Sequence, residues 1–306
     1  MKEQKLQSQT VQTTGHAWDG DLQEFNNPLP TWWVYTFYVT IVFAIVYWII
    51  YPSWPFGKGF FGGVSNITYV NDHGETVTHH WNTRALLMED LNRAAREQKP
   101  YFDKIASMPY EQIAKDPEMN GFVLSAGKAL FSDNCAPCHQ SGGQGKIGFF
   151  PNLTDDDWLY GGTYEKIHET LVGGRRAYMP AFGEVLNAEQ ITDLAHYVAS
   201  LSGIEHDAAR ARAGDALFHS ETAACYYCHG ADAKGRKEIG APNLTDKIWL
   251  WADVPGADTA NGKLAAIRGV IEKGLNKGVM PAWAERLTPE QIKVLTVYVH
   301  ELGGGQ

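Results

Sequence analysis

The chain of 306 residues holds four cysteines, and all four fall in two copies of one short pattern. Cys135, Cys138 and His139 form the first copy, CAPCH, and Cys225, Cys228 and His229 form the second, CYYCH. On a helical turn, thiols at i and i+3 share one face and the imidazole that follows stands beside them. This spacing suits two covalent bonds from sulfur to the vinyl-derived carbons of one haem, with the imidazole on its iron. C-x-x-C-H therefore reads as c-type haem attachment, twice over. A lone CxxC also serves thioredoxin-like and zinc sites. The paired histidines, and the lack of a βαβ pattern near either copy, argue against both. No cysteine is left over for a disulfide or a thiol nucleophile.

An electron-carrying haem needs a second axial ligand, and Met179 and Met280 are the candidates. Each is followed by proline and, two residues further on, by an aromatic (MPAF and MPAW). The proline stiffens the loop and fixes where the thioether points. Of the six methionines, Met1, Met88, Met108 and Met119 have no counterpart in the other copy, so core filling explains the matched pair poorly. His/Met ligation raises the reduction potential over bis-His ligation. The spacing from each His to the Met that follows suits ligation within one copy, while an exchange of methionines between the copies stays open. His168, His196, His206, His219 and His300 are unmatched and read as surface or packing residues. Tyr178, Phe182 and Trp283 are expected at haem edges, and Asn152, Leu153, Asn243 and Leu244 in loops shaped against the porphyrin.

The elements around these residues repeat as well. GKALF precedes the first motif and GDALF the second; PNLTD follows at 151–155 and 242–246, with Trp158 and Trp249 at one offset. A helical run closes each copy, from Ala188 to Gly203 and from Pro289 to Gly304. The copies stand 90 residues apart at the cysteines, 91 at the prolines and 101 at the methionines, so insertions fall in loops. This is a tandem duplication, with domains expected at 122–203 and 204–306.

The rest of the chain is an appendage to that pair. Residues 1–30 read as a polar, extended, turn-rich tail without a secretory signal peptide. Trp32 to Ile50 carries no charge, and with Tyr51 it spans about 30 Å as a helix. Trp32, Trp33 and Tyr35 at one end, and Tyr47, Trp48, Tyr51 and Trp54 at the other, suit the two headgroup regions. A transmembrane helix is expected within 31–54. Residues 55–121 read as a connector, with a strand pair over 66–78 turning at Asp72, His73 and Gly74, then an amphipathic helix from Thr83 to Lys99, ahead of Pro100. Lys58 is the one basic residue near the span, so charge does not orient it. Haem attachment outside the cytosol does, placing residues 55–306 in the periplasm and 1–30 in the cytoplasm. The net charge of −9 argues against a nucleic-acid surface and suits solubility or a basic protein partner.

Residues 122–304 resemble class I cytochrome c: a helix ending in CxxCH, a loop bearing Met, and a closing helix. The fold expected is mainly α, one N-terminal transmembrane helix followed by two tandem class I cytochrome c domains. The run GHAWDG at 15–20, Glu24, and NPLPTWW at 27–33, leading into one span and two such domains, resemble the CcoP (FixP) subunit of cbb3-type cytochrome c oxidases. Departures are a connector long for that family over about 57–80, and Asn26 where an acidic residue is more usual. The resemblance implies two covalently bound haem c groups, held by Cys135, Cys138, His139 and Met179 and by Cys225, Cys228, His229 and Met280. It also implies a bacterial inner-membrane location and a role without a catalytic site in this chain. Electrons from a donor cytochrome c would pass to the monohaem subunit and on to the oxygen-reducing, proton-pumping haem–copper subunit. A free membrane-anchored dihaem carrier, or a dihaem peroxidase with one displaceable ligand, are the competing readings; the paired Met-Pro motifs argue against the second.

Overall fold

The computed structural model describes residues 12–71 and 73–303; Asp72 of the expected turn, Gly304 at the end of the last helical run, and the first part of the tail lie outside the described residues. The chain divides into two compact units, Met1–Glu97 and Gln98–Gln306.

In the first unit, β1 (Thr13–Trp18) and β2 (Leu22–Phe25) pair antiparallel, with Trp18 opposite Leu22. The stretch expected to be an extended tail is thus a hairpin. Asp19 and Gly20 both take positive φ, 54° and 93°, the backbone of a tight hairpin turn for which Asp-Gly is a strong signal. Pro30 caps α1 (Thr31–Ile50), a helix of 20 residues with none buried. Its length and composition are those of a membrane span, as expected. Its C-terminal carbonyls all find donors: Tyr47 from the Tyr51 N–H, Trp48 from the Ser53 hydroxyl, Ile49 from the Val64 N–H and Ile50 from the Ser65 N–H. A short pair, β3 (Pro55–Phe56) and β4 (Gly59–Phe60), and the expected longer one, β5 (Asn66–Val70) and β6 (Thr76–His80), make up the segment beyond it.

The helix expected to stop before Pro100 does not: α2 (Thr83–Ser107) continues through it. Proline inside a helix removes a hydrogen bond and clashes with the preceding turn. Packing overrides this here. Tyr101 stacks on Phe122 at 4.8 Å, Phe102 meets the same ring edge-on at 5.2 Å, and Ile105 is fully buried.

The second unit continues with α3 (Tyr110–Lys115), α4 (Pro117–Asn134), α5 (Ala136–His139), α6 (Tyr164–Gly173), β7 (Arg175–Met179) and α7 (Ala188–Leu201). The second copy supplies α8 (Ala208–Phe218), α9 (Tyr226–His229), α10 (Ala260–Lys273), β8 (Leu275–Met280) and α11 (Pro289–His300). Matching caps start matching helices: Asp116 and Asp207 cap α4 and α8, and Asn187 with Gln190 and Thr288 with Gln291 form capping boxes on α7 and α11.

The two tandem copies form two cores but exchange their closing segments. The first core joins Val123, Phe131, Ile167 and Leu171 of the first copy to Ile292, Leu295 and Val299 of the second. The second core joins Leu194 and Val198 to Phe218, Ile267 and Ile271. Each copy's closing segment has crossed to the other. At the crossing, β7 and β8 pair antiparallel, Arg175 opposite Met280 and Met179 opposite Leu275. The Trp283 N–H donates to the Leu171 carbonyl (2.9 Å) and the Phe182 N–H to the Ile271 carbonyl (3.1 Å), the same bond made in each direction. Short linkage supplies a reason. Only residues 202–207 separate α7 from α8, and helices joined this closely pack on one another as a hairpin, here with Arg210 bonded to Asp193 at 2.9 Å. Once α7 lies on α8, α11 is the helix left for α4. Ile105, Ile113 and Met119 are also buried in the first core, so the segment before residue 122 belongs to that core as well.

Candidate functional site

Helix α4 carries the chain to Cys135, and α5 is the single turn that presents Cys138 and His139. α8 and α9 repeat the arrangement for Cys225, Cys228 and His229. All four thiols are free. Cys135 and Cys225 are each pushed up to about 11, chiefly by burial and also by the neighbouring thiol, Cys138 or Cys228, which favours the thiol over the thiolate.

The loops after the motifs fold back and orient the imidazoles. His139 Nδ1 lies 3.0 Å from the Pro151 carbonyl and His229 Nδ1 3.1 Å from that of Pro242. A carbonyl only accepts, so Nδ1 carries the proton and Nε2 keeps its lone pair, the arrangement of an oriented metal-binding histidine. Burial lowers the pKa of both rings, against the opposing pull of the proline carbonyls, and favours the neutral ligand form. The PNLTD repeat thereby gains a function: Asn152 and Asn243 accept from the N–H and hydroxyl of Thr154 and Thr245, fixing the turn that aims the proline carbonyl.

Each motif opens onto its own cavity. The first, of ≈ 310 Å³, is lined by Cys135, Cys138, His139, Trp158 and Trp283, and by Met280. The second, of ≈ 420 Å³, is lined by Cys225, Cys228, His229, Trp249 and Phe182, and by Met179. Both have the size of a cofactor site. The methionines are exchanged. The His–Met spacing suits ligation within a copy, yet the crossing of β7 and β8 carries each thioether to the other copy's motif. Tyr178 also lines the second cavity, as do Asn243 and Leu244, and Asn152 and Leu153 the first. His168, His196, His206, His219 and His300 line neither.

The glycines that end α6 and α10 hold the crossing tight. Gly174 and Gly274 have φ of 68° and 65°, and a Cβ would stand 2.4 Å from the Met280 carbonyl at the first and 2.6 Å from the Met179 carbonyl at the second. Only glycine accepts both the backbone and the contact.

A haem fits this donor set. Each apolar cavity combines paired thiols, an imidazole with a free Nε2 and a thioether. In the first, the indole N–H of Trp158 is buried without a partner among the described residues, a donor for an acidic group of a bound cofactor. Carboxylates gather where the cavities adjoin. Asp157, lining the first, is pushed up to about 6 by burial, then by Asp246 and Asp155, with Lys237 pulling it down. Asp246 lines the second, and burial raises it too.

Comparison with known proteins agrees at both ends of the chain. Residues 10–58 match the N-terminal domain of cytochrome oxidase-cbb3, FixP, and residues 123–198 and 209–299 match cytochrome c oxidase, cbb3-type, subunit III. The cbb3-type cytochrome c oxidase subunit FixP of Azorhizobium caulinodans is 44% identical, covering 96% of this chain and 94% of its own length. FixP of Bradyrhizobium diazoefficiens is also 44% identical, covering 96% and 95%. The subunit CcoP of Cereibacter sphaeroides is 40% identical, covering 96% and 95%. Two haem c groups are the cofactors of this architecture, and electron transfer is its role. The apolar helix α1 is compatible with a membrane anchor. Similarity over nearly the whole chain, from the hairpin to the last helix, leaves one assignment: the chain belongs to the FixP/CcoP family of cbb3-type cytochrome c oxidase subunits.

Proposed function

We propose that one haem is held by Cys135, Cys138, His139 and Met280, and the other by Cys225, Cys228, His229 and Met179. The observation that carries this reading is that each cavity is lined by the CxxCH motif of one copy and the methionine of the other. A bound haem supplies one-electron redox chemistry at iron. The chain's own residues would anchor it through the thiols, present Nε2 oriented by the proline carbonyls, and bring a proline-stiffened thioether into the same cavity. A haem held by both an imidazole and a thioether would have no ligand site left for small molecules, which favours an electron carrier over a peroxidase.

In this reading residues 55–306 lie in the periplasm and the N-terminus in the cytoplasm, with α1 crossing the inner membrane. The chain accepts electrons from a donor cytochrome c and delivers them to the monohaem subunit, from which they reach the haem–copper subunit. No oxygen chemistry takes place in this chain.

The ligand exchange is tested in a chain whose Cys225 and Cys228 are both replaced by Ala, so that one haem remains. Met280→Ala should turn that haem high-spin and able to bind carbon monoxide, while Met179→Ala should leave it low-spin. The opposite result would mean ligation within each copy. The reciprocal background, with Cys135 and Cys138 replaced, should give the mirrored outcome and serves if the first does not fold.

A further inference from the structure

The two cavities share a wall. Tyr160, Ala177, Leu250 and Trp251 line both of them. Tyr160 and Trp251 are counterparts in the repeat, each two residues after the matched tryptophan, Trp158 or Trp249. Each copy thus contributes one aromatic ring to the boundary with the other copy's cavity.

Both rings are held in place by close backbone. Trp251 presses on Gly278 of β8, where φ is 76° and a Cβ would stand 2.2 Å from the ring. Tyr160 presses on Gly240, where φ is 69° and a Cβ would also stand 2.2 Å from the ring. Strand β8 and the separate turn at Gly240 therefore each leave out a side chain at the point where a shared-wall ring rests. Tyr160 is held from another side by the Arg175 guanidinium, 4.5 Å from its centroid, and Arg175 is itself tied to Thr170 and Glu169.

The apolar shell around a haem controls water access and local dielectric, and through them its reduction potential. Water or polar groups stabilise the more highly charged ferric state and so lower that potential. A ring belonging to one site alone would tune one haem. We infer that Tyr160 and Trp251 are positioning residues of a common partition, which keeps water from both haems at once and sets their two potentials together. This rests on one haem standing in each cavity.

The test is a spectroelectrochemical titration of the full chain in detergent, with two covalent haems verified by haem stain on a denaturing gel. Trp251→Leu and Tyr160→Leu should each lower both midpoint potentials. Two controls line one cavity only: Phe149 the first and Ile239 the second. Phe149→Leu and Ile239→Ala should each move a single, different wave. The inference is overturned if Trp251→Leu and Tyr160→Leu also move one wave each, or neither. If a Leu variant fails to retain haem, Ala177→Ser decides: a hydroxyl placed in the same wall moves both waves if the wall is shared, and one or none if it is not. Failure of the underlying haem placement has a different signature, since the two controls would then no longer act on separate waves.

Discussion

The chemistry of single residues here is mostly the control of protons. His139 and His229 keep Nε2 free because Nδ1 holds the proton and donates it in a hydrogen bond to a proline carbonyl, and burial favours the neutral rings. Asp157 shows the opposite tension. Its pKa of about 6 lies above the ordinary 3.8, mainly because the carboxylate is partly buried and secondarily because Asp246 and Asp155 face it, opposed by Lys237. Between those two values the folded chain holds a proton that the unfolded chain has released, so this residue makes stability fall as pH rises through that window. Asp157→Asn should therefore be more stable than the parent at about pH 7, with the difference shrinking toward about pH 4. Urea unfolding followed by far-UV circular dichroism at several pH values checks this; a difference constant with pH would show that ionisation is not its cause.

At the scale of elements, the helices that frame the haem sites meet through glycine. On α4, a Cβ at Gly127 would lie 2.6 Å from Tyr298 Cβ on α11, and on α8 one at Gly214 would lie 2.1 Å from the Asp193 carbonyl on α7. The GKALF and GDALF repeats carry these glycines, so they mark helix crossings. Gly121, on the same helix as Gly127, has no atom within 4 Å of its would-be Cβ. The two positions should respond in opposite senses. Gly121→Ala should stabilise by about 1 kcal/mol, the helix-propensity difference. Gly127→Ala should destabilise by about 1–3 kcal/mol, because the added methyl forces packed helices apart. Thermal unfolding of the two variants beside the parent measures both, and stabilisation by Gly127→Ala would refute the tight crossing.

At the scale of the molecule, the N-terminal unit shows a surface with much to cover. All of β1 and β2 is exposed, including Trp18, Leu22 and Phe25, and α1 buries nothing. A mere tether needs length and apolarity; it needs neither a hairpin nor the proline-stiffened run NPLPTWW. We propose that this run and one face of α1 dock on another subunit of the oxidase. Replacing residues 1–50 with an unrelated single-span anchor of the same orientation should leave both haems inserted. Copurification with the haem–copper subunit should be lost, and oxygen consumption from cytochrome c should fall. A chimera that assembles and respires normally would reduce the N-terminal region to an anchor.

Local spacing was enough for much of this. Two CxxCH motifs, two Met-Pro pairs, the duplicated surroundings and the uncharged run from Trp32 to Ile50 determined the haem-binding residue types, the repeat and the apolar helix, because each depends on residues close in sequence. The hairpin at Asp19-Gly20 has a local signal too, because an Asp-Gly dipeptide favours the positive-φ turn even between polar strands. The proline carbonyls that orient the histidines had a signal in the PNLTD repeat, but their role needed the loop's return path. Pro100 misled because a local penalty gave way to the burial of Tyr101, Phe102 and Ile105 further along the helix. The pairing of each methionine with a motif was decided by tertiary structure alone. Similar copies present similar apolar faces, so α4 can pack on α7 or on α11 with nearly the same chemistry. Only the short link between α7 and α8 and the strand crossing at Gly174 and Gly274 select the exchange.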